Sequence, residues 1–344
     1  MESISARIYS HDSYNKDEKT NVIFELTNHS KKAVHVLKWN TPLEGLKSDC
    51  LDVRKNGKIV PYDGLMIKRG VPQPQDFIEI QPGQSVGEKV DLSEVYSLNS
   101  PGQVKVNYKP DALVVLKDQP TEESLVSFKA NATKPLKVQT KQASFKIATG
   151  GKPRMTIGEK LRKAEPKRKT VSKKKAEAAI TTFLPCVFNG GTTAQQVTVR
   201  LAHENGYNLT VATLSSMAKN TQYKTWFGTY TKTRFNKVKG DYQKIKGEFE
   251  TKQFTYDLTG QGCQSGVYAY TYKGGSTIWL CDAFWMAPDT GTDSRAGTLV
   301  HEHSHASAFT DDLAYGQTAC KQLAKKTPAK AINNADSHEY YSKG

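Results

Sequence analysis

The chain has 344 residues, a formal net charge of +15 and 37% hydrophobic residues, enough for about two domains that each bury a core. Five cysteines are too few for a small disulfide scaffold but allow a bridge or two in a secreted protein. No apolar run approaches the roughly 18–20 residues of a membrane span. The opening "MESISARIYSHDSYNKD" carries no signal-peptide core. Either the protein is intracellular, or its export signal lies outside this sequence.

Residues 1–150 have a hydrophobic period of two. "NVIFELTN", "AVHVLKW", "LDVRKNGKIV", "DFIEIQPG", "QVKVNY", "LVVLKD" and "ASFKIAT" are short alternating or β-branched runs, separated by turn formers such as "NHSKK" and "QPGQS". Asn56–Gly57 marks a tight hairpin. About seven such strands predict an antiparallel β-sandwich of immunoglobulin-like type. His11, His29 and His35 are scattered through it and read as surface or turn residues, so this half offers no catalytic constellation.

Residues 151–175 hold eleven Lys or Arg against Glu159 and Glu165, nine of the chain's fifteen net charges. So charged a block, with few large apolar residues, reads as a mobile linker. A nucleic-acid-binding tail is the rival reading, and the absence of aromatics for base stacking argues against it.

From 176 onward the texture is helical. "AQQVTVRLAHENGYNLTVATLSSMAKN" predicts a helix broken near Gly206, and "YTKTRFNKVKGDYQKIKGEFE" predicts a second, more polar one. "GVYAYTYKGGSTIWLC" reads as two strands joined at Gly274–Gly275, and "AGTLVHEHSHASAF", "AYGQTACKQLAKK" and "PAKAINNADSHEYY" as helices. Helices packed around a small hairpin make an α+β domain.

"TLVHEHSHASAFTDDLAYG" carries the chemistry. His301 and His305 are four apart, on one face of a helix. That spacing lets two imidazoles hold one zinc ion while Glu302 takes a proton from the attacking water. His303 should point away from the metal, toward solvent or as a support behind the ligands. The bland reading is a polar patch on a helix, but burial would penalise three unpartnered histidines.

With "TGTDSRAGTLVHEHSH", "TDDLAYG", "NADSHEYY", "YKTWFGTYT" and "TIWLCDAFWMAP", residues 176–344 closely resemble the deuterolysin-like zinc metallopeptidases, the aspzincins, nearest to the peptidyl-Lys metalloendopeptidases. The resemblance implies a zincin-type fold, zinc as cofactor, Asp312 as third ligand and Tyr315 as the transition-state donor. Phe309 stands where the family's motif has glycine, and the gap from His305 to Asp312 is about two residues short, which leaves Asp311 open as a ligand. The resemblance further implies that Asp336 and Glu339 line a pocket for the lysine after the scissile bond, so that Asp336 would touch substrate binding only.

On that reading the chain is a zymogen. Residues 1–150 would be an inhibitory propeptide, possessing a lysine there or in the linker that plugs the pocket, and self-cleavage before Lys173, Lys174 or Lys175 would release a catalytic fragment beginning at that lysine and containing residues 176–344. Secretion, lysine-containing protein substrates, a monomer, and no nucleic-acid or membrane partner go with it. Cys263 and Cys281 resemble a family disulfide; by elimination Cys186 would pair with Cys320 and leave Cys50 free. The alternative is a basic binding or adhesion protein whose zinc domain is degenerate or structural.

Overall fold

The structure, a computed structural model, describes residues 4–110, 113–128, 138–149, 151–165 and 183–342. The chain forms two compact units: Met1–Leu65 with Pro72–Lys163, and Met66–Val71 with Ala164–Gly344.

In the first unit one sheet orders the strands Val138–Lys141, Ile4–Ser10, Asn21–Asn28 and Ser85–Asp91. A second orders Ser13–Tyr14, Ala143–Ile147, Gly102–Tyr108, Leu51–Lys55 and Lys58–Ile59. Alternation decides which face is buried: Val22, Phe24 and Leu26 point into the core, whereas Ile23 is 48% exposed. Asn56 and Gly57 both have positive φ, as the hairpin between Lys55 and Lys58 requires. The immunoglobulin-like sandwich is as expected, with two parallel pairings, of Ile4–Arg7 with Val138–Lys141 and of Ser13–Tyr14 with Lys146–Ile147.

The basic segment departs from a simple linker. Ile157–Ala164 is a helix, started by a reciprocal cap in which Glu159 accepts from Thr156 N (2.9 Å) and Thr156 Oγ1 accepts from Glu159 N (3.1 Å). Arg162 grips Asp63 with both terminal nitrogens (2.8 and 2.6 Å). The first unit therefore runs through Lys163 and not to 150. Lys173, Lys174 and Lys175 lie outside the described residues.

The second unit contains more sheet than a hairpin. Val187–Asn189, Thr255–Asp257, Thr277–Leu280, Val267–Tyr272 and Leu65–Arg69 lie side by side in that order. Thr193–Ser216 is one unbroken helix, so Gly206 does not interrupt it. A side chain at Gly206 would begin 3.4 Å from Ala296 O and from Phe249 Cζ. That is ordinary contact distance, so the helix packs on Arg295–His303, which carries the histidines, without requiring a glycine there. Tyr223, Phe227, Tyr242, Phe249 and Tyr341 form one aromatic core beside it.

Cys263 and Cys281 are bridged, with Cα atoms 5.4 Å apart. The expected Cys186–Cys320 bridge is absent, because the two thiols sit in separate hydrophobic clusters and each is buried and free, as is Cys50. Asn334 Nδ2 approaches Cys320 Sγ at 3.3 Å. Alkylation of the denatured, unreduced chain should therefore label Cys50, Cys186 and Cys320 and spare the other two. Protection of Cys186 and Cys320 would contradict these positions.

Candidate active site

Arg295–His303 is capped by Ser294, whose side chain accepts from Gly297 N. The next turn, Ser304–Ala308, widens into a π-helix and ends at Phe309. Phe309 has φ +59°, a left-handed conformation that costs a non-glycine residue roughly 1–2 kcal/mol, at the position where the motif that the chain resembles has glycine. Past it, Asn334 Oδ1 accepts from Leu313 N and Ala314 N (2.9 Å each) and Asp311 N donates to Asn333 O (2.8 Å), fixing the loop that presents Asp312.

Three side-chain atoms converge. His301 Nε2 and His305 Nε2 are 3.1 Å apart, and Asp312 Oδ1 lies 3.1 and 3.2 Å from them. A tetrahedral zinc with bonds of about 2.0–2.1 Å sets its ligand atoms about 3.3 Å apart. The other nitrogen of each imidazole lies against an oxygen. His305 Nδ1 donates to Thr310 O (2.8 Å), and His301 Nδ1 faces Asp336 Oδ1 at 2.8 Å. Asp312 Oδ1 is buried without a hydrogen-bond donor, as are both oxygens of Glu302. Such orphaned acceptors fit a bound cation and the water it would hold.

Electrostatics agree with the geometry. Burial drives the His301 pKa down, but Asp312 and Asp336 outweigh it and hold it at about 10. Burial raises Asp312, and His305 and His301 overturn that and keep it far below the carboxylate range. A site that favours an imidazolium so strongly favours a metal cation for the same reason. Glu302 is pushed up to about 8, by burial first and then by Asp312 and Glu339.

Asp311 points elsewhere: it pairs with Lys273 and accepts from Asn333 Nδ2. His303 turns away from His301, His305 and Asp312, but into the core and not to solvent. Its ring stacks 4.0 Å from Phe249, and Tyr256 Oη lies 3.1 Å from its Nε2. Tyr256 Oη lies 2.8 Å from His203 Nδ1, and His203 Nε2 donates to Leu184 O (3.0 Å). This chain braces the helix from behind.

Asp336 and Glu339, one turn apart on Ala335–Tyr341, form a second acidic group beside the first, and both contact the ammonium of Lys68. The role expected of Asp336 was too narrow. Its Oδ1 touches both His301 Nδ1 and Lys68 Nζ, at 2.8 and 3.2 Å, and its Oδ2 accepts from Gly316 N at 2.7 Å. Sequence reading gave no role to Thr310 and Asn334, the first residues of "TDDLAYG" and "NADSHEYY", and missed Lys68, which bears no motif, and Tyr268, whose ring lies 5.2 Å from the Lys68 ammonium.

Residues 212–343 match the family described as lysine-specific metallo-endopeptidase, and residues 13–110 match an immunoglobulin-like domain. An "extracellular protease" of Aeromonas hydrophila is 33% identical over 92% of this chain and 86% of its own. The chain belongs to the lysine-specific metallo-endopeptidase family. A "peptidyl-Lys metalloendopeptidase" of Grifola frondosa is 33% identical over 77% of this chain and 69% of its own. A solved zinc peptidase from Grifola frondosa is 39% identical and covers 44% of this chain and 96% of that one, with a TM-score of 0.42. As a member of this family the chain is a zinc metalloendopeptidase.

Zinc analysis of purified variants tests the ligand set. Asp312→Ala should lose the metal and Asp311→Ala should keep it; the reverse pattern would overturn the assignment. Asp336→Asn should weaken zinc binding by roughly 10–100-fold, as loss of a carboxylate behind a ligating histidine does.

Proposed function

We propose that His301, His305 and Asp312 hold one zinc ion and that the protein hydrolyses peptide bonds on the amino side of lysine. The juxtaposition of that cluster with the Asp336–Glu339 pair carries this reading. A bound zinc would supply Lewis acidity, acidifying a water and polarising the scissile carbonyl. Glu302, buried and poised near neutrality, takes the proton from the attacking water and delivers it to the leaving amine. Tyr315 donates its phenol to the carbonyl oxygen as negative charge gathers there. Asp336 and Glu339 receive the ammonium of the lysine that follows the bond; both are buried, so the pocket rewards a paired cation and rejects an apolar side chain.

The name of the Aeromonas relative supports secretion, and no described helix is long and apolar enough to cross a membrane. The first unit acts as a propeptide, the chain is made as a zymogen, and it cuts itself before Lys173, Lys174 or Lys175, working as a monomer on lysine-containing proteins.

Glu302→Gln should retain zinc and lose about 10²–10⁴-fold in turnover; near-normal hydrolysis would refute the mechanism. Mass spectrometry of a digested protein mixture should find lysine at the new N-termini, and Glu339→Gln should lower that preference by roughly tenfold or more, the worth of one charged hydrogen bond. A scatter of apolar residues at those termini from the unaltered enzyme would eliminate the pocket. Purified chain should convert to two fragments while Glu302→Gln stays whole; fragmentation of both would rule out self-processing.

A further inference from the structure

Met66–Val71 precedes most of the first unit in sequence yet belongs to the second. Its strand joins the edge of the second unit's sheet beside Val267–Tyr272, and Gly70 N donates to Gly266 O at 2.8 Å. Ile67 N donates to Asp312 Oδ2 (2.9 Å), the oxygen on the far side of the carboxylate from the two imidazoles. Tyr315 Oη donates to Ile67 O at 2.9 Å. Lys68, the next residue, is 1% exposed, with its ammonium on Asp336 and Glu339 and over the Tyr268 ring. The peptide unit joining Ile67 to Lys68 thus presents its carbonyl to the transition-state donor and the residue after it to the acidic pair.

These contacts follow an order that an extended substrate would use: edge-strand pairing for the backbone, a donor for the carbonyl, a pocket for the following side chain. A lysine that served only to build a β fold would keep its ammonium in water. Here burial is opposed by Asp336 and Glu339, which hold the Lys68 pKa well above its ordinary value. We propose that Met66–Val71 is a tethered substrate mimic, anchored by Lys68, that occupies the cleft of the full-length chain and excludes lysyl peptides. This deepens the reading of Asp336 and Glu339 as a lysine pocket and rests on it. Tethering supplies the mimic at an effective concentration that reaches the millimolar range, so weak intrinsic affinity suffices.

The test uses the full chain with zinc, carrying Glu302→Gln and with Lys173, Lys174 and Lys175 changed to Gln so that it stays whole. Binding of a fluorescein-labelled peptide with one central lysine is read by polarisation, with and without Lys68→Ala. Lys68→Ala should tighten binding on the order of tenfold or more. Equal affinity in two chains with the same melting temperature would overturn the proposal. Binding that improves with Lys68→Ala but ignores a further Glu339→Gln would keep the occlusion and refute the lysine pocket. Because Lys68→Ala leaves two buried carboxylates unpaired and can unfold the site, the same uncleavable chain with Lys68 intact gives a second measurement. Native acetylation followed by mass spectrometry should modify exposed Lys58 well before Lys68, and equal labelling would also overturn the proposal.

Discussion

A single buried oxygen, Oδ1 of Asp336, lies against both His301 Nδ1 and the Lys68 ammonium, and the rest of the site is arranged around that constraint. Asp312, Asp336 and Glu339 place three carboxylates out of water within one small volume, and unpaired they would oppose folding strongly. On the proposed reading, a divalent cation on the first cluster and one ammonium on the second balance them. Under the proposed function, lysine preference is the requirement that the second cation be present.

Rigidity comes from behind. The π-turn after His303 and the Asn334 side chain set the loop of Asp312, while the stacked His303 and Phe249 rings and the Tyr256–His203 contacts anchor the opposite face of the helix. Ligand orientation is therefore a property of the core and not of flexible loops.

Much of this was legible in the sequence, for particular reasons. Alternation in "NVIFELTN" and the Asn56–Gly57 turn announce strands, and the four-residue spacing of His301 and His305 announces a shared face, because local periodicity survives folding. Two readings failed where a local rule was over-read or overlooked: the helix runs straight through Gly206 instead of breaking there, and the Thr156–Glu159 cap hides inside a charge run. Non-local pairings were invisible. Nothing local separates Lys68 from other lysines, since its meaning comes from Asp336 and Glu339, far along the chain. Cys186 and Cys320 were paired by counting, which ignores that each has its own cluster.

The most direct test of the central claim is anomalous diffraction at the zinc edge from crystals of the zinc-loaded full chain carrying Glu302→Gln, which stays whole. One peak should lie within bonding distance of His301 Nε2, His305 Nε2 and Asp312 Oδ1, with the Lys68 ammonium still between Asp336 and Glu339. A peak among His301, Asp336 and Glu339 instead, or Lys68 displaced into solvent, would contradict the division of the acidic site into a metal half and a lysine half.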